Sequence, residues 1–120
     1  MNTISDDFDR KRTLSQNRKM WPMLTDIANQ LDWNYTRKGQ WLHRKMPQNG
    51  WKAVLTAAFE QETEMAEALD GGIVMIGAST SNYGVRKFAD FIEFLYATGS
   101  ERGVRWSEKS EWAHQQYGAK

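Results

Sequence analysis

The densest set of interacting groups in this 120-residue chain lies near its start, in Leu14-Ser15-Gln16-Asn17-Arg18-Lys19-Met20-Trp21. Adjacent cations, two amides, a hydroxyl and an indole fall within about two helical turns. Such side chains hold phosphates and stack on bases. None is a strong nucleophile or a customary metal ligand. The stretch therefore points to binding of a nucleic acid rather than to catalysis.

A second cluster interleaves cations with aromatics: Trp33, Tyr35, Arg37, Lys38, Trp41, His43, Arg44, Lys45, Trp51 and Lys52. Single-strand recognition uses this combination, because every base has a face to stack and every nucleotide a phosphate. Trp21 and Trp51 fall on apolar helix faces and are expected in the core. Trp33, Tyr35 and Trp41 stay open as stacking residues, Trp41 foremost. Along the first helix, Arg12, Ser15, Gln16 and Lys19 share a polar edge, with Arg18 further round. A helix N-terminus adds free N–H groups and a positive dipole end. Asn17 falls inside the apolar stripe, where a buried amide must find partners. It is expected to tie the helix to a neighbouring backbone or to a second subunit.

The net charge of +1 hides an asymmetry. Residues 1–55 hold ten Lys/Arg against five Asp/Glu, and residues 56–120 hold six against ten. Between Arg10 and Lys52 only Asp26 and Asp32 oppose the cations. A cationic face of this kind is what a polyanion responds to, although a solvated surface with scattered charges reads the same way.

The elements that must position these groups follow from periodicity and punctuation. Thr13 and Gln16 match a capping box opening a helix over Leu14–Leu31, bent at Pro22. Residues 32–46 are expected as extended pieces around a turn at Lys38-Gly39. Pro47 opens a second helix to about Glu64, with Trp51, Val54, Leu55, Ala58 and Phe59 inward and Gly50 weakening its first turn. Asp70-Gly71-Gly72 is a turn, and Ile73–Ile76 a short apolar strand. A third helix spans Gly84–Thr98, stopped by Gly99, and Ser107 caps a last short helix carrying Trp112. The sum is an α+β fold: a small single domain of three to four helices with a short β-sheet or hairpin. Residues 1–12 are expected as a flexible arm, 13–109 as the domain and 110–120 as a C-terminal helix or tail.

Several chemistries have little to work with. There is no cysteine, which removes disulfides and thiolate metal sites. His43 and His114 lack metal-ligand spacing. The loop Gly77–Gly84 is rich in small donors but lacks the Gly-Lys-Ser/Thr ending of a P-loop. Glu60, Glu62, Glu64 and Glu67 cluster at a helix end, where solvation is the ordinary fate. No stretch approaches the ~20 apolar residues of a membrane span, and residues 1–12 lack the apolar run of a secretory signal. The expectation is a cytoplasmic protein without a cofactor that is not an enzyme.

Four ordered blocks then resemble the NinB (Orf) family of lambdoid phage recombination proteins. They are Leu14–Trp21, Trp51-Lys52-Ala-Val-Leu-Thr-Ala-Ala58, Gly72–Ser81 and Gly99-Ser-Glu-Arg-Gly-Val-Arg-Trp-Ser107. The resemblance implies a non-enzymatic recombination mediator that binds single-stranded DNA as a homodimer. Such proteins help load a strand-exchange protein onto DNA coated by the host single-strand-binding protein. Gln16, Arg18, Lys19 and Trp21 match the first block, Lys52 the second, and Arg102 and Arg105 the last. Relative to the family pattern the region before the first block is short, residues 34–46 are longer and more cationic, and Asn82 replaces a cation.

Together these readings assign phosphate contacts to Arg12, Arg18, Lys19, Arg44, Lys45 and Lys52, a backbone or base contact to Gln16, and stacking to Trp41. Arg102 and Arg105 join them through the resemblance. Two other readings stand beside this one. The first is a phage-encoded module that grips a host protein, such as a single-strand-binding protein, nuclease or defence complex, through the acidic stretch 60–70. The second is a structure-specific nuclease.

Overall fold

The computed structural model describes residues 18–61, 64–76, 80 and 82–119. Within them the order is α1 (Met20–Gln30), β1 (Asp32–Arg37), β2 (Gln40–Lys45), α2 (Gln48–Glu60), β3 (Glu64–Glu67), β4 (Ile73–Ile76), α3 (Val85–Glu101) and α4 (Glu108–Tyr117). The architecture is α+β, with four helices and two separate antiparallel hairpins among the described residues.

The core forms where helical periodicity puts apolar residues on facing stripes. Met20, Met23, Leu24 and Ile27 recur every three or four residues along α1, and all are buried. They meet Trp51 and Leu55 of α2 and Phe88, Phe91, Ile92 and Leu95 of α3. Phe59, Tyr83, Phe91 and Phe94 form an aromatic cluster with ring centroids 5.3–5.9 Å apart. Helix α1 packs against α2, α3 and α4 at once.

The start of α1 differs from the expected bent helix. Lys19 is a turn residue and the helix opens at Met20, so Pro22 is its third residue. First-turn amides have no intrahelical acceptor, and the missing N–H of proline costs no bond there. The expected cap at Thr13 and the roles of Gln16 and Asn17 lie outside the described residues, as do half of the small-residue loop and Glu62.

The expected turn at Lys38-Gly39 joins β1 to β2, with φ of 51° and 77°. Two consecutive positive φ values make the tight hairpin turn whose twist matches its strands, and glycine takes the second at no steric cost. Trp33 packs on Trp51 at 5.2 Å between centroids, which leans this hairpin on the core.

Helix α2 stops earlier than its composition suggests. Gln61 turns left-handed at φ 57°, and Glu64–Glu67 form β3 rather than a last helical turn. Glu, Met and Ala favour helix locally, but pairing with the apolar β4 overrides that preference. Ala58, expected inward, is exposed. The turn at Asp70–Gly72 closes this second hairpin: Gly71 has φ 91°, and the Gly72 N–H donates to the Asp70 carboxylate at 3.0 Å.

Gly99 does not stop α3, which runs on to Glu101, and Gly103 with φ 83° follows the true end. Gly99 is instead the point where Trp106 lies against the helix. A Cβ there would sit 2.6 Å from Trp106 Cη2. Trp106 in turn stacks on Tyr96, whose ring also stacks on His114, with ring centroids 3.7 Å apart. The Tyr96 hydroxyl donates to Glu111 at 2.9 Å, and that bond, with burial and the nearby carboxylates, raises its pKa above the usual tyrosine value.

The last segment is fastened to α1. Asp26 Oδ2 accepts from the Ser107 N–H (2.9 Å), the Ser107 hydroxyl (3.0 Å) and the Ser110 hydroxyl (2.5 Å). Gln30 pairs both ways with the Arg105 backbone, each bond 2.8 Å. Ser107 caps α4 as expected, accepting from the Ser110 N–H.

Gly99→Ala is expected to destabilise the fold by about 1–3 kcal/mol through overpacking against Trp106. Alanine in an open helix interior would stabilise by ~1 kcal/mol instead. Urea unfolding decides between them: a raised midpoint would mean the indole shifts freely.

Candidate nucleic-acid interface

Strand alternation sorts the cationic hairpin into two faces. The register pairs Trp33 with Arg44, Tyr35 with Leu42 and Arg37 with Gln40, and this face leans on the core through Trp33 and Tyr35. The other face carries Asp32, Asn34 and Thr36 opposite Lys45, His43 and Trp41. Arg44 and Lys45, neighbours in sequence, therefore point to opposite sides. Arg44 Nε donates to the Tyr35 hydroxyl at 3.2 Å.

Trp41, His43 and Lys45 thus form a line along the solvent face of β2, about 13 Å from first to last Cα. Trp41 is 74% exposed. Nothing about its packing accounts for an indole there. His43 Nδ1 lies 2.6 Å from Asn34 Oδ1, which fixes the ring plane. Lys45 Nζ is 3.1 Å from Asp32 Oδ1, with both side chains about half exposed. An exposed pair of this kind is weak and breaks readily for a better anion.

The line runs into a groove between α1 and the start of α2, lined by Thr25, Asn29, Lys45 and Gln48 among others. The Thr25 hydroxyl donates to Gln48 Oε1 at 2.7 Å. Residues 21, 25 and 29 recur every four positions and so make one stripe of α1. At the far end of that stripe Lys52 Nζ stands 5.8 Å from the Trp21 ring centroid. Trp21 is half-buried at the edge of the core, in keeping with its expected packing role. The groove therefore has Lys45 at one end with amide and hydroxyl groups along it, and Lys52 lies beyond it beside Trp21. Such a surface holds a chain of phosphates and offers hydrogen bonds to bases or sugars.

The remaining assigned residues do not converge there. Lys19 is on the opposite flank of α1, its Nζ 4.9 Å from the centroid of Trp112 in α4. Arg18 is exposed ahead of α1. Arg102 follows α3, with Nη1 3.5 Å from the Thr98 carbonyl. Arg105 is exposed near the C-terminal end of α1, its backbone tied to Gln30. Arg12 and Gln16 lie outside the described residues. The groove's Thr25, Asn29 and Gln48 were not singled out by their sequence; helical spacing of 21, 25 and 29 was the signal available. Trp112 gave no local signal of its pairing with Lys19.

Among the described residues, no group of three or more His, Asp or Glu could hold a metal ion. None of the described helices is long and apolar enough to cross a membrane.

The family profile described as "NinB protein" matches residues 4–107. The chain belongs to the NinB family. It is 40% identical over 105 residues to protein ninB of Escherichia phage lambda, and equally to those of Enterobacteria phage P21 and Salmonella phage P22. These alignments cover 88% of this chain and 66–67% of the relatives, so the chain spans about two thirds of their length. A solved NinB structure from structural genomics superposes with a TM-score of 0.61 at 38% identity, covering 92% of this chain and 75% of that one.

If Trp41 is a surface residue and Trp33 a packing one, truncation separates them. Trp41→Ala should leave unfolding free energy within about 0.5 kcal/mol of the parent, whereas Trp33→Ala should cost about 2 kcal/mol. Equal losses would place Trp41 in the fold's packing.

Proposed function

We propose that the chain is a recombination mediator of phage type that binds single-stranded DNA without acting as an enzyme. It would assist the loading of a strand-exchange protein onto DNA held by the host single-strand-binding protein. The observation that carries this reading is the continuity of the solvent face of β2 with the α1/α2 groove. Trp41, His43, Lys45, the groove's amides and Lys52 supply alternating stacking, hydrogen-bonding and phosphate contacts. A duplex keeps its base faces stacked inside the helix, so an exposed indole favours a single strand. Membership of the NinB family supports the same reading.

Titration with oligo-dT and with duplex DNA tests it, with tryptophan emission as the readout. Oligo-dT should bind more tightly, and log K should fall with log salt by roughly 0.7 per phosphate contacted. Lys45→Gln and Lys52→Gln should each weaken binding and lower that slope by about 0.7. Absence of binding to either DNA at low salt would overturn the reading.

The functional unit in this reading is a homodimer, and the β3–β4 hairpin is the surface it would use. Met65, Leu69, Ile73, Val74 and Ile76 are all exposed, Leu69 fully so. No Lys or Arg occurs between Lys52 and Arg86, while Glu64, Glu67 and Asp70 rim the hairpin. The same hairpin of a second copy, related by a two-fold axis, would cover one of its apolar faces and leave the β1–β2 hairpin open for DNA.

Sedimentation at tens of micromolar should show a dimer, and Ile73→Ser with Val74→Ser should yield a folded monomer. A monomeric parent would overturn the dimer. If that monomer also retained a host protein from nuclease-treated lysate, the hairpin would instead serve a protein-interaction module.

A further inference from the structure

The flank of α1 opposite the groove carries a second pairing of lysine with tryptophan, and neither the track nor the core accounts for it. Trp112 is 46% exposed, a large indole left partly in water on a helix whose buried residues are only Ser110 and Ala113. Its ring is held: Tyr117 meets it edge-on at 5.8 Å between centroids, and Lys19 Nζ sits 4.9 Å from its centroid. Helical spacing puts Lys109 and Gln116 beside Trp112, three residues before and four after, and both are exposed. Glu111 is engaged elsewhere by the Tyr96 hydroxyl. The exposed strip of α4 is thus cation, indole, amide, with a further cation from α1 above the ring.

We propose that Trp112 is a nucleobase-stacking site for single-stranded DNA, with Lys19 supplying the neighbouring phosphate contact. The proposal rests on the reading of the chain as a single-strand binder. It adds a site on the other side of α1 from the Trp41–Lys52 track. The chemistry is that of an exchange. In the free protein the Lys19 ammonium is attracted to the ring's negative face. A base has a π-face of its own and stacks on the indole whatever its identity, while the displaced ammonium meets the phosphate that accompanies the base. Neither the ring nor the cation is left without a partner. Ring orientation is set in advance by Tyr117 and by docking of α4 through Asp26, so little side-chain freedom remains to be lost on binding.

The test uses the full chain and two probes of equal length and phosphate count, oligo-dT and an abasic oligonucleotide. Wild-type protein should prefer oligo-dT. Trp112→Ala should reduce affinity for oligo-dT on the order of tenfold, leave affinity for the abasic strand and the salt slope unchanged, and so shrink the preference. Trp112→Phe, which keeps an aromatic face, should restore most of it. Lys19→Gln should lower the salt slope by about 0.7 for both probes. Circular dichroism would verify that each variant is folded, which half-exposure of the residue favours. If wild type binds oligo-dT and Trp112→Ala keeps the full preference, the Trp112 site is overturned while the function stands. If wild type binds neither probe at low salt, the function itself fails.

Discussion

The carboxylate of Asp26 and the amide of Gln30 hold together parts of the chain that lie 75 to 84 residues apart. Asp26 accepts three hydrogen bonds and Gln30 makes two, all aimed at residues 105–110. The ten residues of α4 are too few to be stable as an isolated helix, and only Ser110 and Ala113 are buried. Its position therefore depends on this polar clasp to α1 together with its contacts to α3, where His114 stacks on Tyr96 and Glu111 accepts from the Tyr96 hydroxyl. Hydrogen bonds to an ionised group contribute about 1.5–3 kcal/mol each, enough to order so short a helix. The same clasp positions Trp106 against Gly99 and brings Trp112 to Lys19. One helix, α1, thus sets both flanks of the molecule: residues 19, 26 and 30 face α4 and its loop, and residues 21, 25 and 29 face α2 and β2.

That division shows which parts of the structure were legible in the sequence. The Lys38-Gly39 turn was legible because consecutive left-handed residues tolerate few alternatives, and the Ser107 cap because its partner is three residues away. Local chemistry decides both. Gly99 and Pro22 misled for the opposite reason. A glycine near a helix end reads as a stop, but its role here comes from the indole of Trp106 reaching across from the next loop. A proline after a helical run reads as a bend, but a boundary at Lys19 makes it a harmless first-turn residue. Strand β3 was illegible: Glu64-Met-Ala-Glu67 favours helix, and only pairing with Ile73–Ile76 makes it extended. The candidate site repeats the pattern. Lys45 is legible from charge and Lys52 from charge and the family block together, but that Arg44 leaves the face of Lys45 needs the hairpin register. That Trp112 meets Lys19 needs a contact across more than 90 positions, which no window of sequence contains.

The two hairpins express the charge asymmetry in space. One carries cations and an exposed indole and leans on the core through Trp33. The other carries carboxylates and exposed aliphatic residues and has few contacts beyond its own strands. At physiological salt the Debye length is about 8 Å, so each acts on what touches it rather than on the molecule's net charge. A near-neutral total is therefore compatible with strong local attraction for a polyanion. The acidic hairpin also disfavours any path of a polyanion across it, so a strand bound as proposed would keep to the α1 side.

The exposed tryptophans and the exposed aliphatics invite different physical explanations, and the distinction bears on function. Met65 and Ile73 share one face of the β3–β4 sheet and Val74 and Ile76 the other, and exposed apolar surface of that kind is stabilised by covering it with another apolar surface. Trp41 and Trp112 are single rings with cations or amides on either side. Protein partners bury aromatics in clusters with apolar neighbours; isolated indoles between cations match the alternation of base and phosphate along a strand. Under the proposed function the molecule would thus keep an apolar surface for a second copy apart from cationic surfaces for DNA. Helix α1, which touches α2, α3 and α4, is the element through which occupancy of one flank would be felt at the other.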